Sequence, residues 1–215
     1  MRLLIWSVFI AGAVAAGLLG GETGAFIFLA AVLVAVTFFR RPLVLALSRL
    51  ASRLGLIRGT IERMPSMINL TRTPSRPEAA RPILTALAAI NFTDAGAWEI
   101  AQMPKIQLSL MVQRDEGMLA AVESAFPIGA HVNVHPLYPD GLVVTFTNSE
   151  PPVPKVLRPN VQRTRLPRCS PDTLVARARS ERPKRPFRPL SIEEAPRIYE
   201  QLYADEIRFR KATGR

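Results

Sequence analysis

The sequence predicts an α+β protein: an N-terminal two-span transmembrane helical hairpin followed by a small antiparallel β-meander domain with flanking helices. Two uncharged apolar runs, 3–20 and 25–39, are divided by Gly20-Gly21-Glu22-Thr23-Gly24. Short stretches of alternating polarity, separated by turn residues, fill the chain from Trp98 to Thr147, and helix-spaced apolar residues stand on either side of them. The implied organisation is a hairpin over 1–41, a basic amphipathic interfacial helix over 42–64, a linker over 65–77, a small α+β domain over 78–149, a basic proline-rich segment over 150–190 and a C-terminal helix over 191–215.

A single helix across 3–39 would run roughly 55 Å at 1.5 Å per residue, nearly twice the ~30 Å hydrocarbon core, and the glycines stand where it must break. Gly12, Ala16 and Gly20 put small side chains on one face of the first span, as Ala31 and Ala35 do on the second, which permits close helix contact. The connecting loop carries no basic residue, whereas Arg40, Arg41, Arg49, Arg53, Arg58 and Arg63 follow the second span. That asymmetry places the soluble portion in the cytoplasm and the chain in a bacterial inner (plasma) membrane. A cleaved secretory signal is the competing reading of the first run, since Arg2, the apolar core and Ala13-Val14-Ala15 imitate its three regions; it leaves the soluble part at the same address.

Leu43, Leu47, Leu50, Leu54, Ile57, Ile61, Met64 and Ile68 recur at spacings of four and three, a helical seam that Pro65 should interrupt. Arg49, Arg53 and Arg63 lie off that seam, as in a helix resting in an anionic headgroup layer; packing on the soluble domain or on a second copy is the alternative. Residues 65–77 are polar and punctuated by Pro74 and Pro77, as in a linker. Ile83, Leu84, Leu87 and Ile90 then give one helix before the strands.

Five strands are expected, at 97–102, 106–113, 118–125, 131–135 and 142–147. Ile106, Leu108, Leu110 and Val112 alternate with Gln107, Ser109, Met111 and Gln113, the signature of a strand with one buried face. Arg114-Asp115-Glu116-Gly117 and Tyr138-Pro139-Asp140-Gly141 are turn sequences: in the second, proline presets φ at one position and glycine accepts positive φ after it. Consecutive antiparallel pairing under one helix is the simplest assembly.

Composition narrows the chemistry. The 215 residues are 48% hydrophobic and carry a net charge of +11, with 24 arginines and only four lysines, which points to anionic partners. Cys169 is the sole cysteine, so an internal disulfide framework and multi-cysteine metal sites are excluded. No phosphate-binding glycine loop, dinucleotide fingerprint, HExxH or paired CxxC occurs. His131, Asn133 and His135 share one face of a predicted strand, but at ~3.3 Å per residue the imidazoles attach about 13 Å apart, too far to ligate one metal with ~2 Å bonds. No metal, cofactor or catalytic residue is assigned. Glu99 and Glu123 read as isolated strand positions, Asp140 as a turn residue, and Cys169 as a lone thiol in a basic stretch.

The charge is concentrated after the strands. Residues 150–190 carry +8 and 40–75 carry +6, flanking a stretch, 76–149, of −3. Nine prolines between Pro151 and Pro189 keep the basic segment extended, with room for a short helix capped by Ser170-Pro171-Asp172. It can meet anionic headgroups, meet nucleic acid or strap across the acidic domain. Phe187 is its only aromatic residue, so recognition of a single strand by stacking is disfavoured. Ser191 and Glu194 form a capping-box signature for the last helix, whose stripe of Ile198, Tyr199, Leu202 and Tyr203 either docks on the domain or binds a partner.

The function expected from these features is a membrane-anchored, non-enzymatic binding or scaffolding protein. Its lipid- or anion-contacting residues are Arg40, Arg41, Arg49, Arg53, Arg63, Arg182, Lys184, Arg185 and Arg188, and a protein partner or second copy is the further expected contact. An accessory subunit of a larger membrane complex, joined through the Ile198–Tyr199–Leu202–Tyr203 stripe, is one alternative. A membrane-tethered hydrolase or transferase using His131 or His135 with Asp140 is the other.

Overall fold

Side chains two apart on a strand share a face, and in the middle of this chain both faces of several strands carry apolar residues. A sheet of that kind needs cover on each side. The computed structural model describes residues 64–125, 129–150 and 157–213, all within one of the chain's two structural units, Ser48–Arg215. Seven strands run in chain order across one sheet: β1 (Leu70–Thr73), β2 (Thr93–Ile100), β3 (Ile106–Gln113), β4 (Met118–Ala125), β5 (Gly129–Pro136), β6 (Val143–Thr147) and β7 (Val161–Arg165). Neighbours from β1 to β6 are antiparallel, and β7 joins β6 in parallel. The helices are α1 (Arg81–Ala89), α2 (Pro171–Glu181) and α3 (Ala195–Thr213).

Met118, Ala120 and Val122 of β4, Val132 and Val134 of β5, and Val144 and Phe146 of β6 form one core with Leu84 and Leu87 of α1 and Leu174, Val175 and Ala178 of α2. The intervening residues Leu119 and Ala121, with Leu108, Leu110 and Val112 of β3, form a second core with Leu190, Ala195, Ile198 and Tyr199 on the opposite side. The domain is therefore three layers deep, two helices on one face and α3 on the other. Local signals set the helix starts: Ser170 caps α2 by accepting from the Thr173 amide at 3.4 Å, with Pro171 at its first position. Ser191 and Glu194 exchange side chain to backbone bonds, both 3.3 Å, just ahead of α3.

Several expectations are corrected. Over 64–213 the fold is a seven-stranded mixed sheet with flanking helices, not a five-stranded antiparallel meander. Among the described residues no helix is long and apolar enough to cross a membrane. The two-span anchor, the integral membrane partner and the inner-membrane address are accordingly not supported. Residues 1–63, on which the hairpin, the interfacial helix and Arg40, Arg41, Arg49, Arg53 and Arg63 were read, lie outside the described residues.

The two additional strands have physical reasons. β1 arises inside the expected linker, where Leu-Thr-Arg-Thr is too short to show alternation; it pairs with β2 from Leu70↔Ile100 to Thr73↔Ala97, and the Leu70 amide donates to Glu200 of α3 at 2.9 Å. β7 lies in the basic segment: proline keeps that chain extended, and an extended chain beside an open edge pairs with it. Four further arginines of the segment pair with carboxylates. Arg179 and Arg182 reach Glu116 at 2.9 and 3.6 Å, Arg168 reaches Glu150 at 2.7 Å, and Arg185 pairs with Asp140.

Three substitutions test this packing. Phe146 is 1% exposed between the helices and the sheet, so Phe146→Ala should cost about 3–5 kcal/mol in urea unfolding of the full chain. Gly117 and Gly141 both have positive φ, +56° and +75°, but a Cβ on Gly117 would lie 2.4 Å from the Arg188 carbonyl oxygen, whereas one on Gly141 meets nothing within 4 Å. Gly141→Ala should cost roughly the 1–2 kcal/mol of left-handed backbone, and Gly117→Ala clearly more; equal losses would show that the 187–188 strap yields freely.

Candidate ligand-binding cavity

The face of the sheet under α3 changes character from one edge to the other. On β3 and the first half of β4 it presents Leu108, Leu110, Leu119 and Ala121. At Glu123 it turns polar, continuing through His131, Asn133 and His135 of β5, Thr145 and Thr147 of β6 and Arg163 of β7. The partners of those residues on the opposite face, Val132, Val134, Val144 and Phe146, are all in the first core. The same alternation that buries valine on one side therefore sets imidazole, amide and hydroxyl groups on the other. Over this polar area lies a cavity of about 320 Å³, roofed by Tyr199, Leu202, Tyr203, Glu206 and Arg210 of α3 and walled by Ile100, Met103 and Ile106.

Glu123 organises the floor. Register places it directly opposite His131, whose Nε2 is 3.4 Å from Oε2. Asn133 Nδ2 and the Tyr199 hydroxyl both donate to Oε1, at 2.8 and 3.0 Å. Burial pushes the Glu123 carboxyl up, but the hydrogen bond and charge of His131, the Tyr199 hydroxyl and the charge of His135 together outweigh it and hold the group below its ordinary value. Tyr199 is raised well above a free phenol by its burial and by the Glu123 carboxylate it bonds. His135 lies beside Thr145, Nδ1 to Oγ1 3.1 Å; burial lowers its pKa to about 4, Glu123 opposing and Arg163 assisting.

Arginine closes the other end. Arg210 holds Glu206 through Nε at 2.8 Å and a second nitrogen at 2.7 Å. Arg163 meets the same carboxylate at 3.7 Å, and Arg158 meets Asp205 at 3.4 Å. Burial lowers the Arg163 pKa, with Glu206 resisting and Arg210 assisting.

The residues singled out in the sequence are dispersed. His131, Asn133 and His135 share a face and line the cavity, whereas Asp140 accepts from the Leu142 amide at 3.2 Å and pairs with Arg185 in an exposed turn. Asp140 is thus not part of the cavity that His131 and His135 line, and His135 meets a threonine hydroxyl. Ile198 and Tyr199 are buried against the sheet, with Leu202 and Tyr203 packed beside them. Arg182, Arg185 and Arg188 are paired with Glu116, Asp140 and Glu194, and Lys184 shares a shallow groove with Arg179 and Arg185. Cys169 is half-buried, its thiol pushed up by burial and by Asp172. Among the described residues no three His, Cys, Asp or Glu side chains are grouped to hold a metal ion.

Sequence reasoning missed Glu123, the Tyr199 hydroxyl and Arg163 as members of one site. The parity of β4 carried part of the signal, since Glu123 falls on the face of Leu119 and Ala121 and needs polar neighbours there. Comparison with protein-family models, with curated proteins and with solved structures finds no match, so the geometry of the cavity carries the functional reading.

A histidine whose folded pKa lies below its unfolded value near 6.5 binds fewer protons in the native state, so its contribution to stability is present above pH 6.5 and lost as pH falls toward 4. Urea unfolding of the full chain should weaken by about 2–3 kcal/mol across that interval. His135→Asn should flatten the slope between pH 6.5 and 4.5.

Proposed function

We propose that this chain is a non-enzymatic binding protein whose α+β domain holds a small organic molecule between the sheet and α3. The observation that carries this reading is the polar half-face from Glu123 to Arg163 beneath a helix that covers it only in part, enclosing about 320 Å³, within the usual range for small-molecule sites. Its lining is mixed in the manner of such sites, apolar on the β2 and β3 side and hydrogen-bonding on the β5 to β7 side. Binding is favoured over catalysis because Glu123 already accepts from Asn133 and Tyr199 with His131 beside it, and His135 meets Thr145 with a pKa of about 4.

Saturation-transfer NMR on the full chain, with a mixture of aliphatic and aromatic molecules of about eight to twelve non-hydrogen atoms, tests the reading. Val143 lines the cavity without being fully buried. Val143→Trp should fill the space and abolish the transfer signals while leaving the circular dichroism spectrum unchanged. Signals that survive this substitution, or none at millimolar concentrations, would overturn the proposal.

A further inference from the structure

We propose that the cavity selects an organic oxyanion, its anionic head between Arg158 and Arg163 and its apolar body against Met103, Ile106 and Leu202; this rests on the binding reading above. The reason is an imbalance of satisfied groups. Each guanidinium carries five N–H donors. Arg210 uses its donors on Glu206 at 2.7 and 2.8 Å. Arg163 has only the outlying 3.7 Å approach to that same carboxylate, and Arg158 only Asp205 at 3.4 Å, both longer than the 2.7–3.2 Å of a formed N–H···O bond. Both side chains are nonetheless withdrawn from solvent, 15% and 13% exposed. The Nε of Arg158 is buried with no hydrogen-bond partner among the described residues.

Arg158 and Arg163 both line the cavity, where an oxygen-rich head can accept from their guanidinium groups in the bidentate geometry to which arginine is suited. The carboxylates of the site are already met by donors or cations: Glu123 by Asn133, Tyr199 and His131, and Glu206, through Oε1, by Arg163 and Arg210. An anion instead meets two incompletely engaged arginines. At roughly 20–30 Å³ per non-hydrogen atom the space holds on the order of ten to fifteen, enough for a short chain or one ring beyond the head group.

Isothermal titration of the full chain with octanoate, octyl phosphate, 1-octanol and octylamine separates the possibilities. At least one of the two anions should bind tenfold or more tightly than octanol, with octylamine weakest, and the better anion identifies the head as carboxylate or phosphate. Arg158→Gln and Arg163→Gln should each reduce that preference about tenfold without changing octanol affinity. Arg163→Lys, which keeps the charge, guards against a folding defect and should retain part of the preference. Equal affinities for octanol and both anions would overturn anion selection while leaving the cavity as a binding site. If none of the four binds, yet molecules in the NMR mixture give signals that Val143→Trp removes, the anion proposal alone fails; if those signals are absent too, both proposals fail.

Discussion

One mismatch of dimensions governs this domain. Seven strands about 4.8 Å apart make a sheet roughly 29 Å wide, and a single helix is about 10 Å across. On one face α1 and α2 lie side by side, and the residues of β4, β5 and β6 in the core beneath them are apolar, with Ser124 near the end of β4 the buried polar exception. On the other face α3 is the only helix among the described residues, and it cannot cover the same width. The chain meets that limit with composition. Where α3 packs closely the floor is leucine and alanine, and where its cover thins the floor becomes glutamate, histidine, asparagine, threonine and arginine. The cavity is the boundary between the two regimes.

That boundary is stabilised from both sides. Tyr199 belongs to the apolar contact of α3, yet its hydroxyl reaches Glu123, so one side chain both anchors the helix and satisfies the first polar group of the floor. Glu206 accepts from Arg210 within the helix and lies 3.7 Å from Arg163 on β7, and Glu200 accepts from the Leu70 amide of β1. Polar contacts therefore join the helix to the sheet along about two turns of its length, beside the cavity. Charge–hydrogen-bond ties of this kind fix orientation more than they add net stability, which suits a site whose floor and roof must keep their spacing.

Much of the sheet was legible because its central strands obey simple rules. β3 and β4 have the bounds their alternation and the 114–117 turn imply, and the caps of α2 and α3 form at the residues that signal them. The edges were not legible, for a different reason in each case. β1 offers one apolar residue in four, and β7 reads as basic tail because its pairing depends on an edge 18 residues upstream in register, Val143 opposite Val161. The site was half legible: the shared face of His131, Asn133 and His135 follows from period two, but no local pattern announces that Glu123 stands across from His131 or that a helix 76 residues later brings Tyr199 to it. Such contacts belong to topology.

The charge distribution takes on a different meaning once the basic segment is folded. Its +8 suggested a broad surface for anions, yet Arg168, Arg179, Arg182, Arg185 and Arg188 are each matched to a carboxylate of the domain or the neighbouring strap. Exposed pairs of this kind contribute little individually, though each sets a carboxylate beside one positive charge of the segment. Arg158 and Arg163 differ from them in being withdrawn from water and poorly matched. A buried, under-engaged arginine constrains its partner far more than an exposed one, because water cannot substitute freely for the missing acceptor. Among the described residues, the arginines whose engagement is weakest relative to their burial therefore lie at one end of the sheet, beside the cavity.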